Sequence, residues 1–131
     1  MTRLTKKLLA PKFLYFLGIS YSLLVTILFL MPAQDVPEVT IPFLDKLVHV
    51  LIFSILSFIW LLIFRNSSKI IHTILWICLI IWCYGIIIEL LQQWFFDTRN
   101  ADSWDVVANS VGILTGVLLF QRIKARFSLK K

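Results

Sequence analysis

The chain has 131 residues, of which 60% are apolar, 15% aromatic and only 15% charged, far from the roughly 25% charge of soluble domains, so an ordinary soluble enzyme is all but excluded. A mean hydropathy of +0.89 in so short a chain requires most residues to sit in hydrocarbon, because the interior is too small to hide them. The net charge of +6 resides mainly in Arg3, Lys6, Lys7, Lys12 and in Arg122, Lys124, Arg126, Lys130, Lys131, clusters that flank apolar runs as membrane anchors do and argue against nucleic acid as a partner.

Four uncharged runs follow in chain order. The first, 13–31, can cross a hydrocarbon core of about 30 Å. It follows Lys6, Lys7 and Lys12 and ends at Met31-Pro32-Ala33-Gln34, yet it is longer than a signal-peptide apolar region and lacks a small-x-small cleavage site, so this helix is expected to stay attached. The second run, 47–64, contains His49. The third begins at Ile70 and is closed by Glu89, giving a helix over 70–90. The fourth, 106–121, is short, so its helix is expected to start near Asp102, where acidic residues favour the first turn. Lipid requires backbone groups to be satisfied within the segment, and runs this long are not barrel strands. The expected fold is all-α and polytopic: one domain, 1–131, with transmembrane helices near 13–31, 47–64, 70–90 and 102–121. Cys78 and Cys83, five apart in an apolar run, are expected to be small buried hydrophobes.

Orientation follows from the basic residues. Placing the N-terminus inside puts eleven of them on the cytoplasmic side and only Lys46 and Arg99 on the other, so the topology is N-in/C-in. The acidic residues Asp35, Glu38, Asp45, Glu89, Asp97, Asp102 and Asp105 then all lie at or near the outer face. Loop exposure accounts for Asp35 and Glu38.

The others fall on helical faces. In the fourth helix Asp102, Asp105, Asn109, Gly112 and Gly116 span an arc of about 80° at helical spacing. Its upper half offers carboxylates and an amide, and Gly112 and Gly116 below let another helix approach closely. Gly85, Glu89 and Gln92 or Gln93 share a face of the third helix, and a carboxylate there needs a partner, water or a proton. Asp45, Lys46 and His49 open the second helix on one side. His72, three residues after Lys69, reads as an interfacial residue. Tyr84, Trp94 and Trp104 are expected to mark the interface. Lys46, His49 and Arg99 could receive a phosphate or another anionic head group, the planar guanidinium of Arg99 being best suited. A single histidine with scattered carboxylates does not specify a metal by its spacing, so no metal and no cofactor is expected.

At these residues the chain resembles the VanZ-like family of small bacterial membrane proteins. The matching pattern is Asp45-Lys46-x-x-His49-x-x-x-Phe53, then Gly85-x-x-x-Glu89-x-x-Gln92, then Arg99-x-x-Asp102-x-x-Asp105-x-x-x-Asn109-x-x-Gly112-x-x-x-Gly116. The resemblance covers roughly 31–120. It implies an integral protein of the bacterial cytoplasmic membrane, with a named relative associated with low-level resistance to teicoplanin, and it implies no settled reaction.

Three functions compete. The polar cluster could bind or modulate a lipid-linked or anionic envelope component, with Lys46, His49 and Arg99 on the head group. It could be a membrane-embedded enzyme acting on a lipid head group, with His49 as base and Glu89 or Asp105 as its acid or orienting partner. Or the polar groups could pair with each other and only fix the helix order. Charges confined to one end do not suggest a pore. A membrane lipid or lipid-linked precursor is the expected partner, and a homo-oligomer is left open.

Overall fold

The computed structural model describes residues 10–31, 43–95 and 102–128. They form four α-helices, α1 Pro11–Phe29, α2 Leu44–Ile63, α3 Ile70–Phe95 and α4 Ser103–Ser128. Each is long and apolar enough to cross a membrane, which makes the chain an all-α, multi-pass membrane protein.

The helix starts have local causes. Pro11 opens α1, where its missing N–H would have had no partner and its fixed φ already suits the helix. The backbone of Phe43, at φ 63°, is left-handed immediately before α2, and its carbonyl accepts the N–H of Leu47 at 3.1 Å. For a bulky side chain that conformation costs about 1–3 kcal/mol. Asp102 caps α4, its Oδ1 accepting the backbone N–H of Trp104 at 2.9 Å. The tight α2–α3 turn is held by the N–H of Ser67, which donates to the carbonyl of Phe64 at 3.0 Å, and by a 2.8 Å hydroxyl pair between Ser67 and Thr73.

Helix bounds depart from the uncharged runs. α1 starts two residues earlier than position 13, α2 three earlier than position 47, and α3 and α4 run on to Phe95 and Ser128. The reason is that charge marks where hydrocarbon ends, not where backbone hydrogen bonding ends. The 26 residues of α3 span about 39 Å, so its extra turns reach beyond a core of about 30 Å.

Side-chain register fixes the topology. Phe29 meets His49 while Gly18 meets Ile59 and Ile63, so α1 and α2 are antiparallel. His49 meets Asn109 and Ser57 meets Gly116, so α2 and α4 are parallel. Thr26 meets Tyr84 and Phe29 meets Gln92, so α1 and α3 are parallel as well. The bundle therefore runs up, down, up, down. The starts of α2 and α4 and the ends of α1 and α3 share one end.

The α2–α4 pair has the most extensive interface. A Cβ on Gly112 would lie 2.5 Å from the carbonyl oxygen of Val50, and one on Gly116 would collide with the Ser57 hydroxyl and lie 2.5 Å from the carbonyl oxygen of Ser54. Only glycine lets the two backbones come this close. Phe53, Leu56, Val25, Ile81, Ile88 and Ile113 fill the centre. The outside is apolar too, with Phe16, Ile27, Ile71, Leu75 and Leu114 exposed as lipid-facing residues are.

Cys83 is exposed and Cys78 only half-buried, which corrects the expectation that both would be buried. In a membrane protein the lipid face is as apolar as the core, so hydrophobicity alone does not separate them. Tyr84 also departs from its expected interfacial place. Its hydroxyl lies 2.8 Å from the Thr26 hydroxyl and donates to the Ser22 carbonyl at 3.2 Å, inside the α1–α3 contact. Trp94, Trp104 and His72 are exposed.

Candidate functional site

Three helices deliver the polar groups to one end of the bundle. On α2, Asp45, Lys46 and His49 lie within the first two turns; α4 brings Asp102, Asp105 and Asn109 down one face; α3 contributes Glu89 near its end. Two layers result.

The outer layer is centred on Lys46. Its Nζ lies 2.9 Å from Asp45 Oδ2, 2.5 Å from Asp102 Oδ2 and 2.5 Å from Asp105 Oδ1. One ammonium, with three N–H donors, thus serves three carboxylates. The Lys46 ammonium, helped by the Trp104 N–H, holds the Asp102 carboxyl below the usual carboxylate value.

The inner layer is centred on His49, which is only 7% exposed. Its Nδ1–H donates to Asn109 Oδ1 at 2.9 Å, which leaves the lone pair on Nε2. Nε2 faces Asp105 Oδ2 at 4.0 Å, and Glu89 Oε1 lies 3.7 Å from Nδ1. Glu89 and Asn109 are 4% and 2% exposed, so this chemistry is removed from bulk water. The Phe29 ring covers the imidazole, with centroids 4.6 Å apart and planes tilted by 55°. His49, Glu89 and Asp105 each offer one donor atom, all within 4.8 Å of one another, and so could hold a metal ion. The same three groups are of the residue types that general acid/base chemistry uses.

Of the residues singled out in the sequence, Asp45, Lys46, His49, Glu89, Asp102, Asp105 and Asn109 meet here. Gln92 does not join them. Its Nε2 donates to the Phe29 carbonyl at 2.7 Å, satisfying an acceptor in the last turn of α1. A Cβ on Gly85 would lie 3.0 Å from the Asn109 amide and from the Phe53 ring, so this glycine leaves space for side chains where Gly112 and Gly116 leave it for a helix. Arg99 lies outside the described residues, as do Asp35, Glu38 and Asp97.

Two contributions of α1 escape a sequence reading. Phe29 closes one side of His49, and nothing distinguishes it from its apolar neighbours. Gly18, Ser22 and Thr26, spaced by four, do form a legible stripe. It faces α2 and α3, where Trp60 Nε1–H donates to Ser22 Oγ at 3.2 Å.

No curated protein and no solved structure matches the chain. A family model does, over residues 13–124, a stretch that reaches from the first turn of α1 to the last turns of α4 and contains every member of both layers. With nearly the whole length matched and the motif residues gathered at one end of a four-helix membrane bundle, the chain belongs to the VanZ/LLP1 family.

Proposed function

We propose that the chain is a membrane-embedded enzyme acting on the head group of a membrane lipid, with His49 and a carboxylate, Asp105 or Glu89, as its acid/base pair. The observation that carries this reading is the buried imidazole, fixed through Nδ1 by Asn109 and presenting Nε2 toward Asp105. An imidazole so oriented can take a proton at Nε2 and return it, and positioned acid/base groups typically contribute about 10²–10⁴-fold in rate. His49 lies five residues after Leu44, about 7.5 Å into the bundle from the start of α2, a depth suited to a head group rather than an acyl tail.

Recognition of an anionic envelope component through Lys46 has less support. That ammonium is already shared by Asp45, Asp102 and Asp105. The lipid enters here as substrate, and the teicoplanin association of the resembling family as a secondary phenotype to score. The chain acts as a single domain in a bacterial cytoplasmic membrane.

With the eleven-to-two distribution of basic residues, both termini are cytoplasmic and the cluster faces outward. Reporter fusions after Lys69 and Lys131 are expected to read cytoplasmic and one at Asp35 external. An external signal from the Lys131 fusion contradicts this orientation.

The reaction is tested in vesicles made from total bacterial lipid, carrying either the native chain or His49→Gln. Head groups are followed by mass spectrometry. The native chain should convert a lipid species, and the variant should do so at least about 100-fold more slowly. Equal conversion by both, or none by either, rejects the enzyme reading.

A further inference from the structure

We propose that His49, Glu89 and Asp105 form a binding site for one divalent transition-metal ion, of the Zn²⁺ or Mn²⁺ class. The three donors come from α2, α3 and α4, and their ligating atoms lie within 4.8 Å of one another. His49 Nε2 and Asp105 Oδ2 are 4.0 Å apart, too long for a hydrogen bond. A tetrahedral ion with bonds of about 2.0–2.2 Å sets its ligand atoms about 3.3–3.6 Å apart, so binding draws these two together by about half an ångström.

The surroundings are those of a metal site. Metal-ligating imidazoles almost always hold their other nitrogen to an acceptor, which fixes tautomer and ring orientation, and Asn109 Oδ1 does this at 2.9 Å. Asp105 is oriented in the same way, since Lys46 holds Oδ1 and leaves Oδ2 turned toward His49. Phe29 shields the imidazole face, and two of the three ligands are at least nine-tenths buried. Glu89 and Asp105 bring two carboxylates close together at a membrane boundary, which is costly, and a divalent cation between them would offset that cost.

The donor set selects the ion. One imidazole and two carboxylates suit Zn²⁺ or Mn²⁺; Mg²⁺ and Ca²⁺ prefer oxygen alone, and soft ions prefer sulfur, which is missing from this set. Three protein ligands leave a fourth position open, the arrangement of catalytic rather than structural zinc. The use of that position rests on the enzyme reading, in which the ion would polarise a head-group oxygen as a Lewis acid. The binding itself does not.

The test needs no substrate. Chain purified in detergent is stripped with chelator, dialysed against Zn²⁺ or Mn²⁺, and assayed for metal by mass spectrometry. About one ion per chain is expected in the native protein and in His72→Gln, an exposed histidine at the other end of the bundle, with little in His49→Gln or Glu89→Gln, and loss of metal from His72→Gln as well overturns the proposal. Native protein without metal, or metal retained equally by His49→Gln and Glu89→Gln, overturns the proposal. The chain has two histidines, which gives a reading independent of any variant. Substoichiometric Mn²⁺ should broaden the imidazole NMR signals of His49 and spare those of exposed His72. Equal broadening of both, or of neither, also overturns it. Metal bound without head-group conversion would defeat the enzyme reading alone, and conversion by protein that takes up no metal on dialysis would defeat this proposal alone.

Discussion

Gly116→Val is expected to lower the stability of the bundle by about 3 kcal/mol, the upper part of the usual range for overpacking. A Cβ at this position collides with the Ser57 hydroxyl and lies 2.5 Å from the Ser54 carbonyl oxygen and 3.1 Å from the Phe58 nitrogen. Two of these three atoms belong to the backbone of α2 and cannot swing aside. The only relief is to move α4 away from α2, which loosens the most extensive helix interface in the bundle. It also draws Asn109 and Asp105 away from His49 and Lys46. Gly85→Ala should be milder, because its neighbours are the Asn109 amide and the Phe53 ring, side chains that can shift by a few tenths of an ångström. Helices inserted in lipid stay helical when their packing fails, so circular dichroism is the wrong probe. Tryptophan fluorescence during denaturation in mixed micelles reports the packing through Trp60 and Trp82, which bond to Ser22 on α1 and Ser110 on α4. A change within about 0.5 kcal/mol would show that the close approach is not required.

Lys46→Met should cost about 2 kcal/mol and impair the site as well. Its Nζ is the shared partner of Asp45, Asp102 and Asp105, and without it three carboxylates face one another. The lysine side chain is 23% exposed and that of Asp105 15%, so the loss should fall between the small worth of a surface ion pair and the larger cost of breaking a buried one. The same reasoning predicts a rescue. Lys46→Met combined with Asp105→Asn removes one of the stranded charges and should be less destabilised than the single changes add up to. Unfolding midpoints of the four members of that cycle decide the matter, and strict additivity would mean that Lys46 and Asp105 do not interact.

Much of the bundle is legible in the sequence because lipid imposes simple rules. An uncharged run of nineteen residues from Phe13 has few fates other than a spanning helix. The ends are less legible, since Asp45 and Lys46 stand outside the uncharged run yet inside α2. The stripe from Asp102 to Gly116 is readable from helical spacing alone, and its glycines are turned to α2. Spacing within one helix says nothing about which residue of another helix arrives opposite. The pairing of Asn109 with His49 Nδ1, the placing of Gln92 on the Phe29 carbonyl and the turning of Tyr84 into α1 all depend on helix rotation and depth. Those are settled by packing across the whole bundle. The exposure of Cys83 is a related case, because a lipid-facing position and a core position have the same composition.

The most direct measurement compares folding with function in His49→Gln. Glutamine can still donate a hydrogen bond to Asn109 Oδ1, so the buried amide keeps a partner, but it cannot carry a proton near neutral pH. Unfolding stability in mixed micelles and head-group conversion in vesicles are measured on the same preparation at matched membrane levels. If the inner layer is a working centre, stability stays within about 1 kcal/mol of the native chain while conversion falls at least about 100-fold. Undiminished conversion, or a loss that only tracks the fraction of unfolded protein, would show instead that His49, Glu89 and Asp105 are packing groups.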